Sequence, residues 1–256
     1  MYGYAYTNSF RGSGGSSTPL PYQPLCSYYL NGTDGYLEGA GNISTLVGGS
    51  GKTWSVRIVF RRLTTGSAVD LLGSYDGAIS DKSLGVFINT AGEVNVFFSS
   101  DGTTNTGNFK SSSVLVNDTD WRHMILTYDN GTFKCYIGSS LRAGTSTTIP
   151  TTLNTSVEPF KYGLFYTSGS PRYTKCYINQ INWTSDVITG TEAATLFNGG
   201  LPLVGSDVLD NMALEYIFDN DTFDGTNWTL LDDVGANDGL SVNLDAVDKD
   251  CNENPY

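Results

Sequence analysis

The feature that most constrains the fold is a pair of alternating runs separated by a turn signal. The first run spans Trp121–Asp129 and the second spans Thr132–Ile137, and in both of them aromatic and branched residues alternate with polar ones. Asn130 and Gly131 lie between the runs, and Asn-Gly favours a type I′ turn because both residues accept a positive φ. The passage therefore predicts a β-hairpin.

The composition favours an all-β chain. Aromatic residues make up 12% and charged residues 16% of the 256 residues, and Gly, Ser, Thr and Asn crowd the segments between apolar runs. In the run 54–61, Trp54 begins an apolar face and Arg57 belongs to a polar, charged face, which predicts a strand lying over a core. Further predicted strands are 28–30, 36–38, 69–75, 84–89, 93–99, 160–166 and 173–183.

A single short helix is predicted after residue 188. Thr189 and Glu192 have the spacing of a capping box, and Gly199 and Gly200 end the pattern.

The charge balance argues against two classes of partner. The chain has 14 Lys and Arg against 26 Asp and Glu, for a net charge of -12. A field of this sign repels phosphate backbones and anionic lipid headgroups, so we expect neither a nucleic acid nor a membrane as partner. No apolar run approaches a bilayer span and no signal peptide is recognisable. We therefore expect a chain that is cytosolic, already processed or exported in another way.

The hairpin also resembles the central hairpin of laminin-G-like (concanavalin-A-like) jelly-roll domains. The likeness lies in Trp121-x-His123, in the Thr127-Tyr128-Asp129 end of the strand, and in a Tyr near the end of the second strand. The opening segment 28–38, the segment 178–199 with its short helix, and the Asp-rich passage 214–239 resemble the same family. The resemblance covers about residues 26–245.

This resemblance implies a two-sheet antiparallel jelly-roll sandwich over residues 26–256, with one short helix. Residues 1–25 are rich in Tyr, Gly, Ser and Pro and would form an extended N-terminal arm. Such a segment cannot bury a core alone. It is either a disordered tail or an arm that orders against another subunit.

The four cysteines show no metal-binding spacing. Cys135 and Cys176 lie in strand patterns, where we expect small buried groups. The family fold would bring Cys26 and Cys251 close together. A disulfide between them is one alternative, and free thiols are the favoured one.

The resemblance also makes an enzymatic function a hypothesis to test, because some concanavalin-like sandwiches are β-glucanases. Those enzymes place paired carboxylates on one strand, whereas the glutamates here are scattered singly. His123 is the sole histidine, and we expect it to be hydrogen-bonded in the core rather than catalytic. No Gly-rich loop precedes a long helix, so the sequence shows no phosphate-binding loop of the kind that nucleotide-binding proteins use. The sequence therefore favours a protein that is not an enzyme.

Related domains often hold Ca²⁺ at the sandwich rim through oxygen ligands. The corresponding family positions here, Asn179 and Gly138, lack carboxylates, and this weakens the inference. Ca²⁺ is thus the one cofactor that we consider. The candidate ligands are Asp219, Asp221 and Asp224, and the alternative is a solvated acidic turn.

Glycan binding needs an exposed aromatic ring with polar groups beside it. Core packing is the alternative for each such ring. The candidates are Tyr75 with Asp76, Tyr166 with Arg172 and Tyr173, and Trp228.

The layout of the domain resembles laminin-G-like proteins of tailed bacterial viruses. We therefore predict a non-catalytic virion surface protein, such as a capsid decoration, a head fibre or a tail-associated adhesin. Its partners would be other virion subunits, copies of itself in a homo-oligomer, and glycans. The first alternative is an extracellular carbohydrate-binding or adhesion module, and the second is a glucanase-type hydrolase.

Overall fold

The computed structural model describes residues 26–40, 43–74, 81–114, 116, 118–167, 170–200, 203–235 and 237–251. In these residues the chain forms two large antiparallel sheets, one of eight strands and one of ten. The all-β sandwich with one short capped helix, expected from the sequence, is confirmed.

The eight-stranded sheet has the order β11-β10-β9-β4-β17-β1-β22, and β18 also pairs with β17. Its strands are β1 (Ser27–Asn31), β4 (Thr53–Arg62), β9 (Trp121–Asp129), β10 (Thr132–Ile137), β11 (Ser140–Arg142), β17 (Lys175–Thr184), β18 (Met212–Tyr216) and β22 (Lys249–Asp250).

The ten-stranded sheet has the order β12-β8-β7-β6-β5-β14-β2-β21-β20-β19. Its strands are β2 (Tyr36–Glu38), β5 (Val69–Gly73), β6 (Leu84–Ile88), β7 (Val94–Phe98), β8 (Gly107–Ser111), β12 (Gly144–Ser146), β14 (Lys161–Tyr162), β19 (Thr222–Phe223), β20 (Trp228–Leu230) and β21 (Gly239–Val242).

Two short strand pairs and two helices complete the described fold. The pairs are β3 (Gly49–Ser50) with β13 (Thr152–Leu153), and β15 (Leu164–Thr167) with β16 (Ser170–Tyr173); the helices are α1 (Ile43–Val47) and α2 (Gly190–Phe197). Two single 3-10 turns span Asn198–Gly200 and Gly205–Asp207.

The predicted hairpin is confirmed as β9 and β10. Asp129 pairs with Thr132, and the two residues between them have positive φ, 42° for Asn130 and 92° for Gly131. This is the signature of a type I′ turn. The local turn signal therefore set the register of the two strands.

Helix α2 also begins where the sequence predicts. Thr189 accepts a hydrogen bond from the backbone N–H of Glu192, and the Glu192 side chain accepts one from the backbone N–H of Thr189, which completes the capping box. Asn198, in the left-handed region at φ 44°, ends the helix. The five-residue helix α1 is not apparent from the sequence pattern.

The core between the sheets is aromatic. Trp54 stacks on Tyr128 with ring centroids 5.3 Å apart and lies 5.7 Å from Trp183. Across the sandwich, the Trp183 indole N–H donates to the Tyr162 hydroxyl at 2.8 Å. All four side chains are fully buried. Burying an aromatic side chain is among the largest favourable contributions that a single residue makes.

The charged face of β4 is covered as well. Arg57 is fully buried, although the alternation of the sequence assigns it to the face away from the core. The chain after β17 folds back over this face, where α2 buries Ala193 and Leu196 against Ile125 and Tyr136. The eight-stranded sheet thus has a second, smaller apolar cluster on its outer side.

The preference for free thiols at the termini of the domain was wrong, because Cys26 and Cys251 form a disulfide. Cys26 directly precedes β1 and Cys251 directly follows β22, and these two strands pair, so the cysteines meet across 225 residues of chain. Cys135 and Cys176 are buried free thiols, as predicted. Burial raises the pKa of Cys135 to about 12 and raises the pKa of Cys176 as well, so both thiols are unreactive.

We expect the unreduced, denatured chain to titrate two thiols, and the reduced chain to titrate four. The Cys26→Ser variant should lose about 2–5 kcal/mol of unfolding free energy, because the disulfide restricts the unfolded chain. Thiol titration and urea unfolding measure the two effects. As a control, reductant should not further destabilise the Cys26→Ser/Cys251→Ser variant. Four titratable thiols before reduction would exclude the bond.

Candidate functional site

The β15–β16 hairpin lies over the outer face of the ten-stranded sheet. Gly73 in β5 pairs with Gly85 in β6, so the sheet has no side chains at these two positions. The buried ring of Phe165 fills this space, with a ring carbon 3.5 Å from where a Cβ of Gly73 would stand. The two glycines therefore leave the space on the sheet into which the hairpin packs.

An ion pair fastens the hairpin to the sheet. Arg172 donates through Nε to Asp70 Oδ2 at 2.6 Å and through a terminal nitrogen to Oδ1. The Arg172 guanidinium carbon also lies 5.4 Å from the Phe87 ring centroid and 5.6 Å from that of Phe165. Asp70 is 1% exposed; burial raises its pKa, and Arg172 opposes that rise. Arg172, predicted as a glycan contact, thus has a structural role.

Beside this anchor, three half-buried tyrosines share one surface. The rings of Tyr36 and Tyr173 are 6.4 Å apart, and Lys161 Nζ lies 5.8 Å from the ring centroid of Tyr166. Burial, first of all, raises the pKa of Tyr36 to about 12, and Glu38, Tyr166 and Tyr173 add to the rise. These five residues, Tyr36, Glu38, Lys161, Tyr166 and Tyr173, are called the tyrosine patch.

The structure thus brings together Tyr166, Arg172 and Tyr173 from the sequence prediction. Tyr36, Glu38 and Lys161 also belong to this surface, and the sequence did not identify them as binding residues. Alternation could have placed Tyr36 and Glu38 on the face opposite the buried Leu37, but it could not reveal their neighbours. Tyr75 and Asp76 lie outside the described residues, and their role stays a prediction.

Trp228, also predicted as a glycan contact, packs toward the core. Its ring centroid is 5.9 Å from that of Tyr28 and 5.1 Å from that of Phe223, and Lys249 Nζ lies 4.7 Å from it. The indole N–H donates to the Asp245 carbonyl. The ring is half-buried, so part of its surface already contributes to stability.

The three aspartates proposed for Ca²⁺ each accept hydrogen bonds from the chain. Asp219 accepts from the Cys26 N–H, Asp221 from the Tyr28 hydroxyl and the Leu231 N–H, and Asp224 from two N–H groups of its own turn. In the described part of the chain, no group of three or more His, Cys, Asp or Glu is arranged to hold a metal ion. The geometry gives Ca²⁺ binding no support, and it stays a prediction.

His123 is buried on the outer side of the eight-stranded sheet, as part of a polar network. Arg57 Nε donates to His123 Nε2 at 2.6 Å, and another Arg57 nitrogen donates to the Asn182 carbonyl oxygen at 2.9 Å. Asn182 in turn donates to Glu215 at 2.8 Å. Burial, and then the charge of Arg57, lower the pKa of His123 well below 6.5. His123 is thus buried and hydrogen-bonded, as expected from the sequence, but it lies on the outer side of the sheet and not in the core between the two sheets.

We expect the ring of His123 to stay neutral at pH values below 6.5, where a free imidazole takes up a proton. Because the unfolded chain binds a proton near pH 6.5 and the folded chain does not, this residue should lower the unfolding free energy as the pH falls below about 6.5. The chain has a single histidine, so ¹⁵N NMR of the ring gives an unambiguous reading. A titration midpoint near pH 6.5 in the folded protein would contradict this assignment.

We expect Arg172→Ala to lose about 3 kcal/mol of unfolding free energy, because it leaves the buried Asp70 carboxylate without its partner. The matched control is Lys110→Ala, which removes the surface ion pair with Glu93 and should cost much less, because solvent screens that pair. Urea unfolding measures both. Equal losses in the two variants would show that Arg172 does not anchor the hairpin.

No helix in the described part of the chain is long and apolar enough to cross a membrane. No protein-family model and no curated protein matches the chain in sequence.

Solved structures match it in fold. A "putative carbohydrate binding protein" from Bacteroides ovatus is 17% identical at a TM-score of 0.59, covering 88% of this chain and 59% of that one. The Ruminococcus gnavus IT-sialidase CBM40, bound to alpha2,3 sialyllactose, is 16% identical at a TM-score of 0.51, and the match covers 68% of this chain and 97% of that one. The K499G mutant of NanB sialidase from Streptococcus pneumoniae is 19% identical at a TM-score of 0.51, and the match covers 68% of this chain and 28% of that one. At these identities the likeness establishes the sandwich fold.

Proposed function

We propose that this chain is a non-catalytic glycan-binding domain that takes its ligand on the tyrosine patch. The observation that carries the proposal is the convergence of three half-buried tyrosine rings with a lysine and a carboxylate on one sheet face. The fold shared with the Bacteroides ovatus protein and the Ruminococcus gnavus CBM40 supports it.

The chemistry of the tyrosine patch suits a saccharide. Sugar rings offer C–H faces that pack on aromatic rings, and their hydroxyls accept from an ammonium and donate to a carboxylate. Lys161 Nζ is held by Glu158 Oε2 at 3.0 Å, so its position is set before a ligand arrives. Tyr36 lies on β2, and the anchored hairpin carries Tyr166 and Tyr173. A surface preorganised in this way loses little conformational entropy on binding.

The non-catalytic part of the proposal rests on two observations. The match to the CBM40 domain covers 97% of that domain, whereas the match to NanB sialidase covers 28% of the enzyme. Glycoside hydrolysis by paired carboxyl groups also requires an acid and a nucleophile or base. The tyrosine patch contains one carboxylate, Glu38, and the nearby Glu158 is ion-paired with Lys161. Release of sugar from an oligosaccharide substrate by the pure protein would refute this part.

We place the domain on the surface of a virion, as the sequence resemblance suggests, with glycans as its outward-facing ligands. Copurification of the chain with purified particles tests this location. A chain found only free in the medium would favour the alternative of an extracellular adhesion module. Glycan binding by the tyrosine patch is common to both locations.

We expect Tyr173→Ala to weaken glycan binding about tenfold, or ~1.4 kcal/mol, because it removes one ring of the tyrosine patch. A glycan array identifies the ligand, and calorimetry with that ligand measures the change. The matched control is Tyr29→Ala, which removes a half-buried tyrosine from β1 of the other sheet.

Binding should be unchanged in the control. Equal binding by wild type and Tyr173→Ala would move the site away from the tyrosine patch. An array without any bound glycan would refute the proposed function itself.

A further inference from the structure

A cleft lies on the opposite side of the sandwich, on the outer face of the eight-stranded sheet. Its volume is about 450 Å³, and Val59, His123, Trp121 and Phe197 are among its lining residues. A smaller cleft of about 200 Å³ adjoins it and reaches Gly138 and Arg142. Trp121, Arg122, His123 and Phe197 line both spaces. The larger volume is within the range of small-molecule sites.

Two buried nitrogen atoms on the lining residues, Nε of Arg122 and Nε of Arg142, have no hydrogen-bond partner among the described residues. A third, Nδ1 of His123, has no partner at full hydrogen-bond geometry and faces only the backbone of Gly138, which raises the pKa of the ring slightly against the effect of burial. All three residues line the smaller cleft. Buried polar atoms without a partner are costly, and their convergence in one place calls for an explanation.

All three atoms are donors. Arginine Nε carries a hydrogen, and it has no lone pair available to accept one. Arg57 donates to His123 Nε2, so the proton of the neutral imidazole must reside on Nδ1. A ligand that satisfies this cleft must therefore bring acceptor oxygens.

The charge of the cleft points the same way. The chain carries a net charge of -12, yet Arg61, Arg122 and Arg142 line the two adjoining spaces. Two carboxylates offset part of this positive charge: Asp120 is exposed at the edge of the cleft, and Asp118 is ion-paired with Arg122. Such a concentration of cationic groups in an acidic protein favours an anion locally.

We propose that this cleft binds the oxyanion group of a small ring-bearing acid, with the ring against Trp121 and Phe197. The oxyanion can be a carboxylate, a sulfate or a phosphate, because each supplies acceptor oxygens to guanidinium and imidazole N–H groups. The ring centroids of Phe197 and His123 are 5.9 Å apart, so an aromatic ring lies next to the hydrogen-bond donors of the cleft. This site is separate from the tyrosine patch and does not depend on it.

The test uses the full chain and three probes: glucuronate, inorganic sulfate and neutral glucose. Binding is followed by calorimetry and by the ring N–H resonance of the sole histidine. Glucuronate should bind and shift this resonance, and glucose should do neither. Sulfate that binds as tightly as glucuronate supports the oxyanion site and assigns it to the anion alone; weaker sulfate binding assigns it to the ring-bearing acid.

The variant is Arg142→Gln, and its matched control is Lys134→Gln, which removes an exposed cation from the neighbouring strand β10. Arg142→Gln should weaken glucuronate binding about tenfold or more, and the control should change it by less than about twofold. Circular dichroism verifies that Arg142→Gln folds. If Arg142→Gln does not fold, the shift of the His123 resonance in the wild-type protein still tests the proposal.

Two results would overturn the proposal. One is the absence of any His123 shift with glucuronate and with sulfate. The other is an equal loss in Arg142→Gln and Lys134→Gln, which would mark non-specific attraction. The variant Tyr173→Ala should bind glucuronate normally, so failure of this site and failure of the tyrosine patch are distinguishable.

Discussion

The packing of the two sheets around a shared aromatic core is the interaction on which the rest of the structure depends. Trp183 contacts Trp54 in its own sheet and donates a hydrogen bond to Tyr162 in the other. Because the indole N–H has a partner, the large ring is buried without leaving a polar group unsatisfied. The sheets are thereby fixed relative to one another, and every surface residue takes its position from them.

With the core filled by the inner faces, the outer faces are available for other roles, and each is covered in part by a returning segment. The β15–β16 hairpin covers one sheet, and α2 covers part of the other. The β15–β16 hairpin supplies Arg172 to the buried Asp70, and on the other sheet the buried Glu215 accepts hydrogen bonds from Asn182 and from the Gly205 N–H. Burial of an ionised group is tolerated only when such partners are present. The tyrosine patch lies beside the Arg172–Asp70 pair, and the cleft shares His123 with the hydrogen-bond network that reaches Glu215 through Arg57 and Asn182.

Local signals carried much of the fold prediction. The Asn130-Gly131 turn and the Thr189 capping box involve residues within a few positions of each other, so the sequence displays them directly. Alternation likewise identified the strands whose inner faces form the core. It did not reveal that Arg57 is buried, because alternation says which face a residue is on and not what later covers that face.

The sequence by itself determined the all-β class, the central hairpin and the short capped helix. Only the tertiary structure decided that Arg172 meets Asp70 from 102 residues away, that Cys26 bonds to Cys251, and that Tyr36 stands beside Tyr173. Such partners are chosen by strand order and by the folding back of segments, which no short stretch of sequence encodes. The tyrosine patch is made of such long-range neighbours, and the cleft forms only where Val59 and Phe197 join residues of the β9–β11 strands; for this reason the sequence showed part of one surface and did not identify the other.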